Sequence, residues 1–193
     1  MPRVVVLAGI NGAGKTTASR DLLINVLKIP VFTNADAVAR GLNSLNPESE
    51  ATRAGWIMLD WMRTLADQKR DFAFETTLSA RTYAPWLNGL RQSGYEVYLY
   101  YYWLRSAEIA IARVAQRVRS GGHHIPDADV LRRYSRSVKN FLELYRGIAD
   151  TWEVFDNTDG DRKLLAIGNP TQQLVDDDDT WETFMRSAGD ANG

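Results

Sequence analysis

Apolar residues in this chain fall into short unbroken runs, separated by stretches in which they recur every three or four positions. The first run, "RVVVLA" (3–8), has no polar gap, as expected of a strand buried on both faces. "VFTNAD" (31–36), "DFAFE" (71–75) and "YEVYLYYYWL" (95–104) predict three further strands, and "WEVFDN" (152–157) with "RKLLAIG" (162–168) closes the sheet. Helical spacing fills the intervals. Residues 48–68 place Ala54, Ile57, Trp61 and Leu65 on one stripe, and residues 127–150 do the same with Val130, Tyr134, Val138, Phe141 and Tyr145. Residues 80–94 form a helix that stops at Gly94; 106–122 opens on Ser106 as N-cap and ends on paired glycines. Strands alternating with helices predict an α/β fold, a parallel sheet covered on both faces. Residues 1–170 read as one domain, and 171–193, with its "DDDD" run, as an acidic, loosely ordered tail.

One turn in this pattern carries chemistry. "GINGAGKT" satisfies G-x-x-x-x-G-K-[ST] between a strand and a helix, the context that the phosphate-binding loop requires. Gly9, Gly12 and Gly14, with Asn11 and Ala13, let successive backbone N–H groups converge on phosphate oxygens at a helix N-terminus. Lys15 is the residue that reaches the β- and γ-phosphates, and the Thr16 hydroxyl, followed by Thr17, is a ligand for Mg²⁺. The glycine spacing does not fit G-x-G-x-x-G, which disfavours a dinucleotide site. No N-K-x-D element for guanine is present, so ATP is the expected phosphoryl donor.

Two carboxylates fall where ligands bind in an open parallel sheet, at the carboxyl ends of strands. Asp36 reads as the end of the second strand and Glu75 as the end of the third. A hydroxyl that attacks a phosphate must be oriented and must lose its proton, and a carboxylate within hydrogen-bond reach does both. For Asp36 the residues alone leave helix capping as an equal reading. Glu75 is followed by Thr76, Thr77, Ser79 and Arg81, a polar patch suited to a sugar or a phosphate.

Charge adds a third element. The net charge is −1, which argues against a nucleic-acid binder relying on bulk charge; yet residues 105–146 hold nine basic and four acidic residues. Arg113, Arg117 and Arg119 precede the Gly121-Gly122 pair and Arg132, Arg133 and Arg136 follow it, the arrangement of a lid over about 117–133. Arginines closing over a transferring phosphoryl group stabilise its spread charge. Adjacent His123 and His124 lack the third ligand of a metal site. A 45% hydrophobic share and the absence of cysteine fit a globular protein of the reducing cytoplasm, and no apolar run of about 18 residues marks a membrane span.

The ordered set "LAGINGAGKTT", "NADAVAR", "FAFETTLSAR", "RVRSGGHHIP", "RRY" and "VFDN" resembles the zeta toxin-like P-loop kinases, in the branch often labelled predicted ABC-type ATPases, over about residues 3–168. The resemblance implies an adenylate-kinase-like, three-layer P-loop sheet with the third strand beside the first. It implies phosphorylation of a hydroxyl of a nucleotide sugar such as UDP-N-acetylglucosamine, and, for a toxin, an antitoxin partner. By this resemblance Asp36 matches the catalytic aspartate, Glu75 and Thr77 match the E-x-T element that binds the acceptor, and the phosphate-clamping arginines fall among Arg117, Arg132 and Arg133. It assigns Glu75 chiefly to the acceptor rather than to the metal. Arg81 stands further from the threonine than the family's acceptor arginine does, and Asp156-Asn157 is expected near the adenine. The alternatives are a kinase of another small hydroxyl compound or antibiotic, and a partner-coupled ATPase. Against the last, the chain has no "LSGGQ" and no paired Asp-Glu at the end of "FAFE".

Overall fold

A computed structural model describes residues 1–122 and 124–189. Seven strands, β1 (Arg3–Gly9), β2 (Phe32–Thr33), β3 (Phe72–Thr76), β4 (Glu96–Trp103), β5 (Thr151–Asp156), β6 (Lys163–Gly168) and β7 (Gln173–Val175), form one sheet. Their order is β2-β3-β1-β4-β5-β6-β7, so the third strand does lie beside the first. The first five pair in parallel, whereas β6 and β7 are antiparallel. That departure from an all-parallel sheet has a simple cause. The 157–162 connection is too short for a parallel crossover, which needs a dozen or more residues.

Helices α1 (Lys15–Asp21), α2 (Ala35–Leu42), α3 (Ala51–Asp67), α4 (Tyr83–Gln92), α5 (Ala107–Arg119), α6 (Asp127–Asn140), α7 (Arg146–Ile148) and α8 (Asp178–Arg186) flank the sheet. A π-helical turn extends α1 over Leu22–Val26, and another, Phe141–Tyr145, joins α6 to α7. Alternate strand residues build one aromatic-rich core layer: Phe74 meets Tyr83 of α4, Tyr101 meets Phe141, and Trp103 meets Phe184 of α8. The stripe Val130, Tyr134, Val138, Phe141 and Tyr145 is buried throughout.

Three readings of the chain need correction. The stripe of α3 that meets the core is Ala54, Met58, Met62 and Leu65, one position round from the expected set; Ile57 and Trp61 face outward with Trp56. The strand expected over 31–36 stops at Thr33, because Asn34 caps α2: its side-chain oxygen accepts from the Asp36 and Ala37 amides at 2.8 and 3.3 Å. The region 171–193 is not a loosely ordered tail over 173–186. Asp177 caps α8 by accepting from the Thr180 amide and hydroxyl, and Trp181 and Phe184 are buried against Trp152 and Trp103. The acidic run therefore supplies a cap and a first turn that favours negative charge. Among the described residues no helix is long and apolar enough to cross a membrane.

Candidate active site

The centre of the sheet delivers the glycine-rich loop. At Gly9 the backbone takes φ +129°, and a Cβ there would stand 2.0 Å from the Tyr102 carbonyl oxygen, so only glycine lets the loop leave β1 against β4. The loop closes through the Ala13 amide on the Ile10 carbonyl at 3.2 Å and runs into α1 at Lys15. It is braced from outside: the Asn157 amide donates to the Ala13 carbonyl at 2.8 Å, and Arg113 holds the neighbouring Thr158 carbonyl at 2.9 Å. Asn157 thus lies against the loop. Its neighbour Asp156 is buried, paired with Arg105 at 2.8 Å and bonded to Thr158.

Lys15 is 6% exposed, and its ammonium donates to the Gly9 and Ile10 carbonyls at 3.0 and 2.9 Å. Burial lowers its pKa below the ordinary lysine value, Glu75 and Asp36 oppose that shift, and Arg117 adds to it. That one electrostatic neighbourhood shows that four expected site residues from four elements converge: Lys15 on α1, Asp36 on α2, Glu75 on β3 and Arg117 on α5. The Glu75 carboxylate lies 3.9 Å from the Lys15 ammonium and accepts from the Thr16 hydroxyl at 2.8 Å and the Asn34 amide at 2.7 Å. Glu75 is therefore turned to the P-loop side, and it shares no hydrogen bond with Thr77, whose hydroxyl instead meets Ser79 at 2.8 Å.

Asp36 sits in the first turn of α2, not at a strand end. With Asn34 doing the capping, the carboxylate of Asp36 is exposed and accepts no hydrogen bond among the described residues. It lines a cavity of about 460 Å³ between α2, the 44–48 segment, Ala51 at the start of α3, and Gly121, Gly122 and His124. The paired glycines shape the turn that follows α5. Gly121 takes φ +81° and ends α5, and the Gly122 amide donates to the Arg117 carbonyl at 2.9 Å. A Cβ on Gly122 would stand 2.5 Å from the Arg117 side chain, so the turn wraps closely around that arginine.

The loop after β3 is held from below by the helical arm of α6. Leu78 adopts φ +54°, and three consecutive supports fix the chain around it. Ser137 donates to the Thr77 carbonyl, Asn140 to that of Leu78 at 2.8 Å, and Tyr145 to that of Ala80 at 2.7 Å. Ser137 in turn meets the Tyr101 hydroxyl at 2.6 Å. Burial pushes the Tyr145 hydroxyl up to about 12, so it remains a neutral donor at physiological pH. None of these three anchors is evident from motif matching; the signal was a pair of polar residues, Ser137 and Asn140, beside an apolar helical stripe.

The remaining predicted residues are scattered around this centre. Asn11 is buried in the loop with its side-chain oxygen unpartnered among the described residues, and Thr17 is exposed on α1. Arg132 bonds Asp129 of its own helix at 2.5 Å, with Arg133 at 4.0 Å from the same carboxylate. Arg81 is exposed near Tyr145 and joins no polar cluster of the site. His123 lies outside the described residues.

Residues 4–140 match the family model described as an AAA domain. An uncharacterized protein of Haemophilus influenzae is 29% identical over 132 residues, which cover 68% of this chain and 92% of that protein. Among solved structures, a chain of the AvrRxo1-ORF1:-ORF2 complex with ATP superposes at a TM-score of 0.79 and 15% identity, over 100% of this chain and 66% of its own length. A chain of the PezAT chromosomal toxin-antitoxin system of Streptococcus pneumoniae gives 0.65 and 15%, over 98% of this chain and 85% of its own. At such identities the likeness is one of fold alone, a P-loop fold. This chain spans just under two thirds of the AvrRxo1 complex chain that it matches.

Proposed function

The chain belongs to this AAA domain family, and from that premise we propose that it is an ATP-dependent phosphotransferase of the zeta toxin type. It transfers the γ-phosphoryl group of ATP to a hydroxyl of a small acceptor, a nucleotide sugar such as UDP-N-acetylglucosamine in the first instance. The observation that carries this reading is Asp36. Its carboxylate is released from capping by Asn34, stands in the field of Lys15, and opens onto a cavity large enough for a small molecule.

The P-loop N–H groups and Lys15 hold the triphosphate, and Arg117, with Arg132 and Arg133 from α6, neutralises charge on the transferring group. As the acceptor oxygen bonds to the γ-phosphorus, the bond to the β-phosphate oxygen breaks, ADP leaves, and the hydroxyl proton passes to Asp36. Thr77 and Arg81 belong to the acceptor side in this reading. The Thr16 hydroxyl and Glu75 carboxylate, 2.8 Å apart, form an all-oxygen pair that suits Mg²⁺. When bound, that ion neutralises charge between the β- and γ-phosphates. Among the described residues no group of three or more His, Cys, Asp and Glu holds a metal alone. In this reading Glu75 serves the cation, whereas the family resemblance assigns it chiefly to the acceptor.

The test is incubation with labelled ATP, Mg²⁺ and UDP-N-acetylglucosamine, followed by panels of sugars, nucleotides and antibiotics. A labelled acceptor is expected with the unaltered chain and not with Asp36→Asn. ATP turnover without any labelled acceptor, raised by a co-purifying protein, would instead favour a partner-coupled ATPase. Toxicity is a separate proposal: expression should arrest growth, Asp36→Asn should relieve the arrest, and an antitoxin protein should co-purify.

A further inference from the structure

The cavity beside Asp36 has a second charged group that none of the preceding roles uses. Arg40 follows Asp36 by four residues on α2 and lines the same cavity. An acid four residues N-terminal to a base on a helix is the spacing and orientation that favours an ion pair. Here no pair forms: neither side chain makes a salt bridge or a side-chain hydrogen bond among the described residues, and both are exposed. His124 lines the same cavity with Ser44 and Asn46, and Glu48 adds a second carboxylate to it. Among the described lining residues there is no Phe, Tyr or Trp, and the His124 imidazole is the one ring.

We propose that this cavity is the acceptor-recognition site and that Arg40, with His124 of the same lining, binds an anionic group on the acceptor about one helical turn from the hydroxyl that Asp36 receives. This rests on the kinase reading above and narrows its substrate class. Neighbours at this spacing on a helix have Cβ atoms about 5–6 Å apart, the span of a sugar ring between a hydroxyl and a phosphate or carboxylate. The polar lining offers donors and acceptors to further hydroxyls. With the His124 imidazole engaged on the anion, no second ring among the described lining residues is left for a nucleobase, so the anion rather than the base governs affinity. Sugar phosphates, sugar acids and nucleotide sugars share this chemistry, and their relative binding separates them.

Calorimetric titration of the full chain with N-acetylglucosamine, N-acetylglucosamine 1-phosphate, glucuronate and UDP-N-acetylglucosamine tests the proposal. At least one of the charged sugars without a base should bind at least tenfold more tightly than N-acetylglucosamine. Arg40→Met should abolish that margin and Arg40→Lys restore part of it, with ATP titration and thermal midpoint as controls for folding. Equal affinity for charged and neutral sugars, a margin that survives Arg40→Met, or binding confined to the UDP-sugar would overturn it. ADP formation with the same compounds reports on the kinase reading separately. Charged sugars that bind through Arg40 without any phosphoryl transfer would leave the cavity assignment standing and remove the reaction.

Discussion

The two sides of the cleft are made of different material. On the phosphate side the determinants are main-chain and buried: Gly9 against the Tyr102 carbonyl, Lys15 held by two carbonyls, and Asn157 bracing the loop at Ala13. On the proposed acceptor side they are exposed side chains, Asp36 and Arg40 on a two-turn helix, lining a cavity shared with the 44–48 segment. A site formed by backbone geometry recognises what every nucleoside triphosphate shares. A site formed by surface side chains can change its ligand by substitutions that leave the core untouched. In the proposed function the cleft therefore joins a fixed donor half to an adjustable acceptor half.

The sharpest way to break this division is to strike each half at its charged centre. Lys15→Ala should weaken ATP binding and lower phosphoryl transfer by about a thousandfold or more, whereas Asp36→Asn should lower transfer by about 10²–10⁴-fold. ATP affinity, measured by titration, should stay near its original value only in the second. Equal loss of ATP affinity in both would erase the distinction. Protonation offers the same contrast without mutation. Because burial lowers the Lys15 pKa, ATP affinity should fall with rising pH at values below 10.5, earlier than an ordinary lysine would allow. Over that window the unfolded chain binds the extra proton, so this lysine's contribution to stability rises as affinity falls. Parallel titration and thermal melts across alkaline pH would read both.

A smaller effect is expected where α6 supports the acceptor loop. Ser137→Ala would leave the Thr77 carbonyl and the Tyr101 hydroxyl short of a buried partner, and Asn140→Ala would do the same to the Leu78 carbonyl. Each should cost about 1–3 kcal/mol of stability. Denaturant melts measure that cost. The sharper readout is kinetic: if the loop serves the acceptor as proposed, the acceptor KM should rise while ATP affinity holds. On the phosphate side, Asn157→Ala removes one brace on the loop and should cost about 1 kcal/mol. It should weaken ATP binding by several-fold, with the acceptor KM unmoved.

The same division decides what could be read from the chain. The donor half was legible because G-x-x-x-x-G-K-T encodes a backbone shape, and because strand-helix alternation fixes where it sits. The place of Glu75 near the end of β3 was legible for the same reason, but its direction was not. That depended on Asn34 and Thr16, which lie 41 and 59 residues away. Asn34 itself shows how local competition misleads: "TNAD" contains three good capping residues, Thr33, Asn34 and Asp36, and only the folded chain shows that Asn34 caps. On α3 the apolar residues spread around enough of the helix for the pattern to fit two stripes, and the sheet selects Met58 and Met62 over Ile57 and Trp61. The acidic stretch before α8 looked like a solvated tail because charge outweighed two aromatic residues three positions apart, yet those two complete the core.

The least disruptive prediction concerns the arginines that cross from one half to the other. Arg132 is placed by the proposed function on the transferring phosphoryl group, but it bonds Asp129 on its own helix, with Arg133 close to the same carboxylate. Exposed pairs of this kind are weak, since water screens them and two long side chains must be ordered to make them. Such a bond can hold a clamp aside without preventing its use. Asp129→Asn should therefore free both arginines at little cost to folding and change the transfer rate by no more than about fivefold. The sign is the informative part. A modest rise in rate at unchanged acceptor KM would make Asp129 a competitor for the clamp. A fall would mean that it holds Arg132 in its working position, and the donor half would then include the first turn of α6 as well as the P-loop.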